Sequence, residues 1–431
     1  MRKILKRILI VLLVLVVLAG GAYCYYEKNM NPRRGTVEKY EQTLALDTIL
    51  SKEDAKKDLK YLMKHLQDYH PAWLDGSDDL VEAVEAQYKS EIEQFDENAT
   101  VLQLWQASAR VIAKLHDGHT WIGVEDDESL YIEDFTQIDE YGPPVMINEI
   151  PVERIYEKFL ECESYETEAY AKQQFYHNRI VRKDSLQLYG IDTADGVTFT
   201  YRLADDLGMT YHYAFVPIEQ VKGFTVSDEE EKWVSYSIDQ ENNLGIFTLT
   251  QCNCNQEYLE ALDQFFEEVF QNNIMNIAVD LRGNGGGNSY VANEFLRYID
   301  VDSYNSWDSD IRMGWYLKKY RNLKEKNRKK EKTFQGNLYV LTDVNTYSSA
   351  MDFAMLVKDN GIGKVIGEAS GNLPDGYGDC LYFQMPKSKL TMSISFKKWY
   401  RIDRSQKGLP ISPDYEVSSS DAIEKVYELI K

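Results

Sequence analysis

Residues 8–19 form an unbroken apolar run behind Arg2, Lys3, Lys6 and Arg7, and the apolar character continues to residue 26. Such a run behind a basic flank predicts a helix that enters a membrane with its basic end on the inner side. We read residues 1–28 as an uncleaved signal anchor, in preference to a cleaved signal peptide. Gly20, Gly21 and Ala22 would serve a signal peptidase, whereas Tyr23 ahead of Cys24 suits a lipoprotein cleavage box poorly. Residues beyond 28 are then expected outside the cytoplasm.

The pattern changes after a polar linker at 29–45. Ser51-Lys-Glu-Asp opens a capping-box-like helix start. Helical spacing follows over 52–68 and 79–115, with a turn at Pro71, and is clearest over 101–115. It stops at His116-Asp-Gly-His119, after which 120–124 reads as a strand. Residues 46–115 are thus expected to be a helical N-terminal region. Residues 116–235 read as a β-rich middle region, with strands at 186–189, 197–202 and 211–216 and helices at Val152–Cys162 and 165–175. From 236 to 431 the two patterns alternate. Strands are expected at 244–250, 277–281, Asn337–Thr342, 364–368, 381–385 and 390–396. Helices are expected at 257–271, Tyr290–Leu296 and 348–358. The alternation predicts an α/β domain with helices covering a largely parallel sheet.

Composition adds bounds. The chain has 431 residues, 44% hydrophobic and 13% aromatic, which suits globular domains with sizeable cores. A net charge of −22 argues against a nucleic-acid partner. The five cysteines include no pair of Cys-x-x-Cys motifs, which excludes a zinc ribbon and leaves isolated thiols. Against the general acidity, residues 318–332 carry nine Lys or Arg. The expectation there is a solvated helix, with a flap meeting an anionic surface, a substrate carboxylate or the cell envelope as the alternative.

The chemistry concentrates at a glycine-dense loop. An apolar strand ending at Asp280 runs into Leu281-Arg-Gly-Asn-Gly-Gly-Gly-Asn288, and helical spacing resumes at Tyr290. A phosphate-binding P-loop would need Gly-Lys-Ser/Thr, and a dinucleotide fingerprint would need a third Gly where Asn288 stands. An oxyanion hole built from backbone N–H groups remains. Loops after neighbouring parallel strands open on the same sheet edge. The next strand leads to Ser348 and Ser349 at a helix start, where Ser348 is either a nucleophile or only an N-cap. A serine needs a base. Of six histidines, His119 is the best placed, in a tight Asp-Gly-His turn, with a structural turn histidine as the alternative. His116 lies nearer the helix end and is weaker.

Together these segments resemble the C-terminal-processing (tail-specific) serine peptidases, most closely the branch of the tricorn protease core and interphotoreceptor retinoid-binding protein. The resemblance runs from about residue 50 to 420. It rests on Leu-His-Asp-Gly-His-Thr at 115–120 and on Val-Met-Ile-Asn-Glu-Ile-Pro-Val at 145–152, where Glu149 replaces the usual Gly. It rests further on the core strand at 244–249, the Gly loop at 279–287 and Thr-Tyr-Ser-Ser-Ala-Met-Asp-Phe at 346–353. Val-Ile-Gly-Glu at 365–368 and Ile-Ser-Pro-Asp at 411–414 complete it. The resemblance implies a crotonase/Clp-protease-like α/β catalytic core at 236–431. It implies Ser348 as nucleophile, His119 as general base, and an oxyanion hole from Gly285 or Gly286 with Ser349. It implies no metal or organic cofactor and a peptide or protein substrate, to which the N-terminal apolar helix adds an expected membrane contact.

The chain departs from the family at informative places. The other branch uses a Lys where Leu373 stands beside Asn372, which disfavours a Ser–Lys dyad. Met351 stands where Glu is usual, and Gln406 replaces an orienting carboxylate. A Gln can hold a His tautomer but stabilises imidazolium poorly, and in a Ser-His-Asp triad the acid-to-amide change costs about 10⁴ in rate. Asp117, Glu368 and Asp379 are the alternative orienting residues. The rival reading is a binding scaffold for peptide or apolar ligands that has lost turnover. No carboxylate-binding loop of the PDZ type is evident in the middle region.

Overall fold

Five parallel strands, Leu244–Leu249, Asn276–Asp280, Asn337–Thr342, Lys364–Gly367 and Tyr415–Glu416, lie side by side in one sheet. Val234–Asp239 adds an antiparallel edge beside the first of them. The computed structural model describes residues 2–95, 97–125, 129–202, 208–224 and 232–431. Sheet positions alternate faces. Ile277, Val279, Leu338 and Val340 point to one side, where Gln256–Gln271, Tyr290–Leu296 and Ser349–Asp359 pack with Phe265, Phe295 and Phe353. Ala278, Tyr339 and Leu341 point to the other, under Ala422 and Val426 of the helix Ala422–Ile430. Burial on both faces explains why Asn276–Asp280 reads as one uninterrupted apolar run.

A second sheet brings the far ends of the chain together. Its order is Tyr316–Tyr320, Asp308–Met313, Thr391–Tyr400, Tyr377–Gln384, and Trp121–Gly123 pairs with the start of Thr391–Tyr400. Phe383, Met392 and Ile394 from this sheet join the core built by Leu59, Leu62, Leu104 and Ile112. Those residues belong to the helices Lys52–Tyr69 and Val101–Ala113, capped by Ser51 and by a Thr100–Gln103 capping box. The same core continues through Val152–Cys162 to Phe199 and Tyr201 of a small sheet formed around Val197–Tyr201.

Two local expectations are corrected. Residues 186–189 lie within and after a helix, Lys183–Leu188, not a strand: Leu186 and Leu188 both face the core there. The basic stretch 318–332 is not a helix. It supplies the strands Tyr316–Tyr320 and Lys324–Lys326, with Asn322 between them at φ 54°, a left-handed conformation that interrupts helix. Three of its nine cations form ion pairs: Arg321 with Asp310, Lys329 with Asp300 and Asp302, and Lys330 with Asp263. The five cysteines are all free thiols.

The helix Arg2–Asn29 stands apart from both cores. Within Ile4–Asn29 a stretch of 18 residues has a mean hydropathy of 2.6 and is 0% buried, so the helix is long and apolar enough to cross a membrane. It is a candidate signal anchor or transmembrane span.

Candidate active site

The strand Asn337–Thr342 ends in a turn that hands Ser348 to the helix Ser349–Asp359. Ser348 sits at φ 53°, ψ −123°, a region that costs a non-glycine residue about 1–3 kcal/mol. Neighbours hold it there. Its N–H donates to Asn372 Oδ1 at 2.8 Å, and the Tyr347 N–H donates to the Asn284 carbonyl of the Gly loop at 2.9 Å. Although Ser348 occupies the N-cap position, its side chain makes no capping bond. Its Oγ lies 3.0 Å from His119 Nε2.

His119 reaches this point because its turn is tied down on several sides. Asp117 Oδ1 accepts the His119 N–H at 2.9 Å, and Asp117 Oδ2 accepts the Thr120 hydroxyl. The His119 carbonyl accepts from Ser393 Oγ at 2.8 Å, and Thr120 Oγ1 accepts the Ser395 N–H at 3.0 Å. Gly118 is needed for the approach: a Cβ there would stand 2.1 Å from Tyr347 Oη.

Two carboxylates face the other side of the ring. Asp117 Oδ1 lies 3.8 Å and Glu166 Oε1 3.9 Å from His119 Nδ1. Nδ1 itself makes no hydrogen bond among the described residues. Burial lowers the His119 pKa, while the charge of Asp117 pulls it back up. Burial acts to raise the Asp117 carboxyl, but the hydrogen bond from His70 and the charges of His70 and His119 outweigh it and hold it down at about 2. Glu166 goes the other way. Its burial and the neighbouring charge of Asp117 push it up to about 8, against the N–H groups of Leu373 and Gly118 and the Tyr347 hydroxyl. Two adjacent acids thus divide into one carboxylate and one largely protonated acid at neutral pH. The three ligand atoms of Asp117, His119 and Glu166 lie within 4.8 Å of one another, but the hydrogen bonds already made by both acids suit a histidine support rather than a metal cage.

Of the residues singled out in the sequence, the structure brings Ser348, His119 and Asp117 together. Gln406 and Glu368 make no hydrogen bond or ion pair with His119. Gln406 is exposed on a short 3-10 turn, where its carbonyl accepts from Arg401. The Glu368 carboxylate accepts the Ser419 N–H at 3.0 Å. Met351 is buried in the sheet core. Glu166 was missed. It lies in the loop before the helix Glu168–Gln174, and nothing in its local spacing marks it among 70 Asp and Glu residues. Thr167 caps that helix and donates to the Gly371 carbonyl at 2.7 Å, which pins Glu166 beside the nucleophile turn.

The Gly loop touches Ser348 directly. A Cβ on Gly286 would stand 2.7 Å from Ser348 Cβ and 2.9 Å from the Ser349 nitrogen. The expectation for Gly286 as a donor is corrected, because its N–H is taken by Asn284 Oδ1 at 2.8 Å. Gly286 supplies space. The N–H groups of Gly285, Gly287 and Ser349 carry no hydrogen bond among the described residues. Only Gly287 and Ser349 of these line the pocket that holds Ser348 and His119.

Residues 243–417 match the family described as peptidase family S41. The chain carries an S41 peptidase domain. The S41 match ends short of the histidine: His119, Asp117 and Glu166 all lie upstream of residue 243. The solved structures extend the likeness of fold. Mature CPAF complexed with lactacystin is 13% identical, with 88% of this chain and 97% of that one covered at a TM-score of 0.64. Mature CPAF alone is 12% identical over 88% and 96% at 0.62. The photosystem II D1 C-terminal processing protease follows at 13% identity over 87% and 97%, with a TM-score of 0.48. No curated protein matches the chain. The S41 domain is that of a serine-type peptidase, as the resemblance in the sequence implies, within a mixed α/β fold.

Proposed function

We propose that the chain is a membrane-anchored, extracytoplasmic serine endopeptidase, and that Ser348 and His119 are its catalytic pair. The observation that carries this reading is the 3.0 Å separation of Ser348 Oγ and His119 Nε2 at a strained serine backbone. In the reaction, Ser348 Oγ attacks the peptide carbonyl carbon while its proton passes to His119 Nε2. The carbonyl oxygen becomes an anion, held by the N–H groups of Gly287 and Ser349. Collapse breaks the C–N bond, and His119 returns the proton to the leaving amine. Water then hydrolyses the acyl-enzyme with His119 again as base.

Asp117 and Glu166 are positioning residues in this scheme. Asp117 holds the His119 backbone and compensates imidazolium from 3.8 Å. Glu166 occupies the place next to Nδ1 that Gln406 was expected to serve. A fluorophosphonate probe should label the chain at Ser348, and Ser348→Ala should abolish the label. Retained labelling in that variant would defeat the assignment.

The binding-scaffold reading has one observation in its favour, the unbonded Nδ1 with both acids beyond 3.5 Å. Resting serine peptidase sites can be this loose and tighten with substrate. Labelling at Ser348 separates the two readings.

For the membrane, support comes from the exposed apolar helix and its basic flank. Full-length chain should partition with membranes and resist carbonate extraction, and its Ser348 domain should be accessible to protease from outside the cytoplasm.

A further inference from the structure

The pocket that holds Ser348 and His119 has an acidic wall. Asp352 lies one helical turn beyond Ser348 and lines this pocket, as do Ser289, Ser349 and Asp379. The Asp352 carboxylate accepts from Ser289 Oγ at 3.1 Å, and Ser289 Oγ also meets Ser349 Oγ at 2.9 Å. Ser349 Oγ in turn donates to the Gly287 carbonyl at 2.9 Å. The acid is therefore held by Ser289, whose hydroxyl lies beside that of Ser349. No Lys or Arg among the described residues forms an ion pair with it. Burial pushes its carboxyl up to about 7, with Asp379 adding to the rise.

The mouth of the pocket already holds such a cation. Lys397 forms an ion pair with Asp379, and its ammonium lies 5.0 Å from the Trp399 ring centroid. Asp379 and Trp399 line both the nucleophile pocket and an adjoining groove of about 940 Å³. Lys397 shows that an acid and an aromatic face at this mouth hold an ammonium group, and Asp352, inside the pocket, is an acid with no such partner among the described residues.

We propose that Asp352 determines specificity, selecting peptides with Lys or Arg at the residue whose carbonyl Ser348 attacks. This rests on the serine peptidase reading above. A norleucine side chain has a similar stem and no charge, so it isolates the contribution of the acid. Truncating one member of a buried charge pair costs on the order of 100-fold in affinity or rate.

The test uses peptidyl diphenyl phosphonates that differ only in carrying lysine or norleucine at that position. The rate of Ser348 modification is read for wild type, Asp352→Asn and Asp352→Glu. Wild type should react on the order of 100-fold faster with the lysine probe. Asp352→Asn should bring the ratio near one, and Asp352→Glu should restore part of it. Because the readout is a ratio, partial loss of folded protein does not imitate the result. A wild-type ratio at or below one, or a ratio unaltered in Asp352→Asn, overturns the specificity assignment while leaving the nucleophile in place. If neither these probes nor a small fluorophosphonate modifies Ser348, the peptidase reading falls, and the inference falls with it.

Discussion

Gly118 and Tyr347 meet so closely that a single methyl group on Gly118 would stand 2.1 Å from the Tyr347 hydroxyl. Through this contact the histidine turn is seated on the nucleophile turn. Tyr347 has little room to retreat, being buried beside Glu166, Tyr170 and the His119 ring. Gly118→Ala should therefore move His119 relative to Ser348 and lower kcat by on the order of 100-fold, the typical cost of misplacement near 1 Å. Steady-state kinetics with intact folding by circular dichroism would check it, and unchanged kcat would show that the turns can separate without penalty.

Asp117 is the member of the acid pair whose loss should be felt in stability. Its carboxyl is held at about 2, below its ordinary value of 3.8. The stability it contributes is present above 3.8 and is lost as pH falls through the folded value near 2. Asp117→Asn removes the charge and one of the two acceptor oxygens and should destabilise the fold by about 2–3 kcal/mol at neutral pH. Denaturant titration at pH 7 measures this, and the difference should shrink towards pH 2.

Glu166 predicts the opposite sign. Its pKa rises from 4.5 to about 8 on folding, so the folded state keeps a proton that the unfolded state releases. Stability then falls as pH climbs from 4.5 towards 8, by a few kcal/mol at most. Glu166→Gln cannot ionise and should escape this loss. Its melting temperature should gain on wild type between pH 5 and pH 8. Equal pH dependence in the two proteins would place the Glu166 proton elsewhere.

His119 should set the acid limb of the activity profile. Burial lowers its pKa below the ordinary 6.5, so the free base is available at mildly acidic pH. The limb of kcat/KM should fall below pH 6.5, and Asp117→Asn, which removes a charge that favours imidazolium, should move it lower still.

Ser348 itself offers a separation of stability from chemistry. At φ 53° and ψ −123° a glycine is unstrained and an alanine is not. Ser348→Gly and Ser348→Ala should both be inactive, with the glycine variant more stable by about 1–3 kcal/mol in denaturant titration.

Much of the site was legible because its signals are local. Gly283 to Gly287 follow an apolar strand, and Ser348 follows the next one, so spacing alone places both on one sheet edge. His119 stood out as one of few histidines, in a tight turn. Glu166 was not legible, since its role depends on the contacts of Thr167 with Gly371 and of its own carboxyl with Leu373, which form only in three dimensions. Gln406 was drawn from family position, and the chain folds that segment around Arg401 instead. The basic stretch misled because charge density carries no period. Its strands follow from their partners, Asp308–Met313 and Ser303–Asn305, and from the turn at Asn322, none of which composition reveals.

The strand that carries His119 into place, Trp121–Gly123, is zipped onto Thr391–Ser393. Serine and histidine are therefore held together only once the segment at 391–393, beyond the serine itself, has been made and has found residues 121–123. A copy made only as far as the nucleophile turn holds both groups and no working pair, so the chain is unarmed while it is being made.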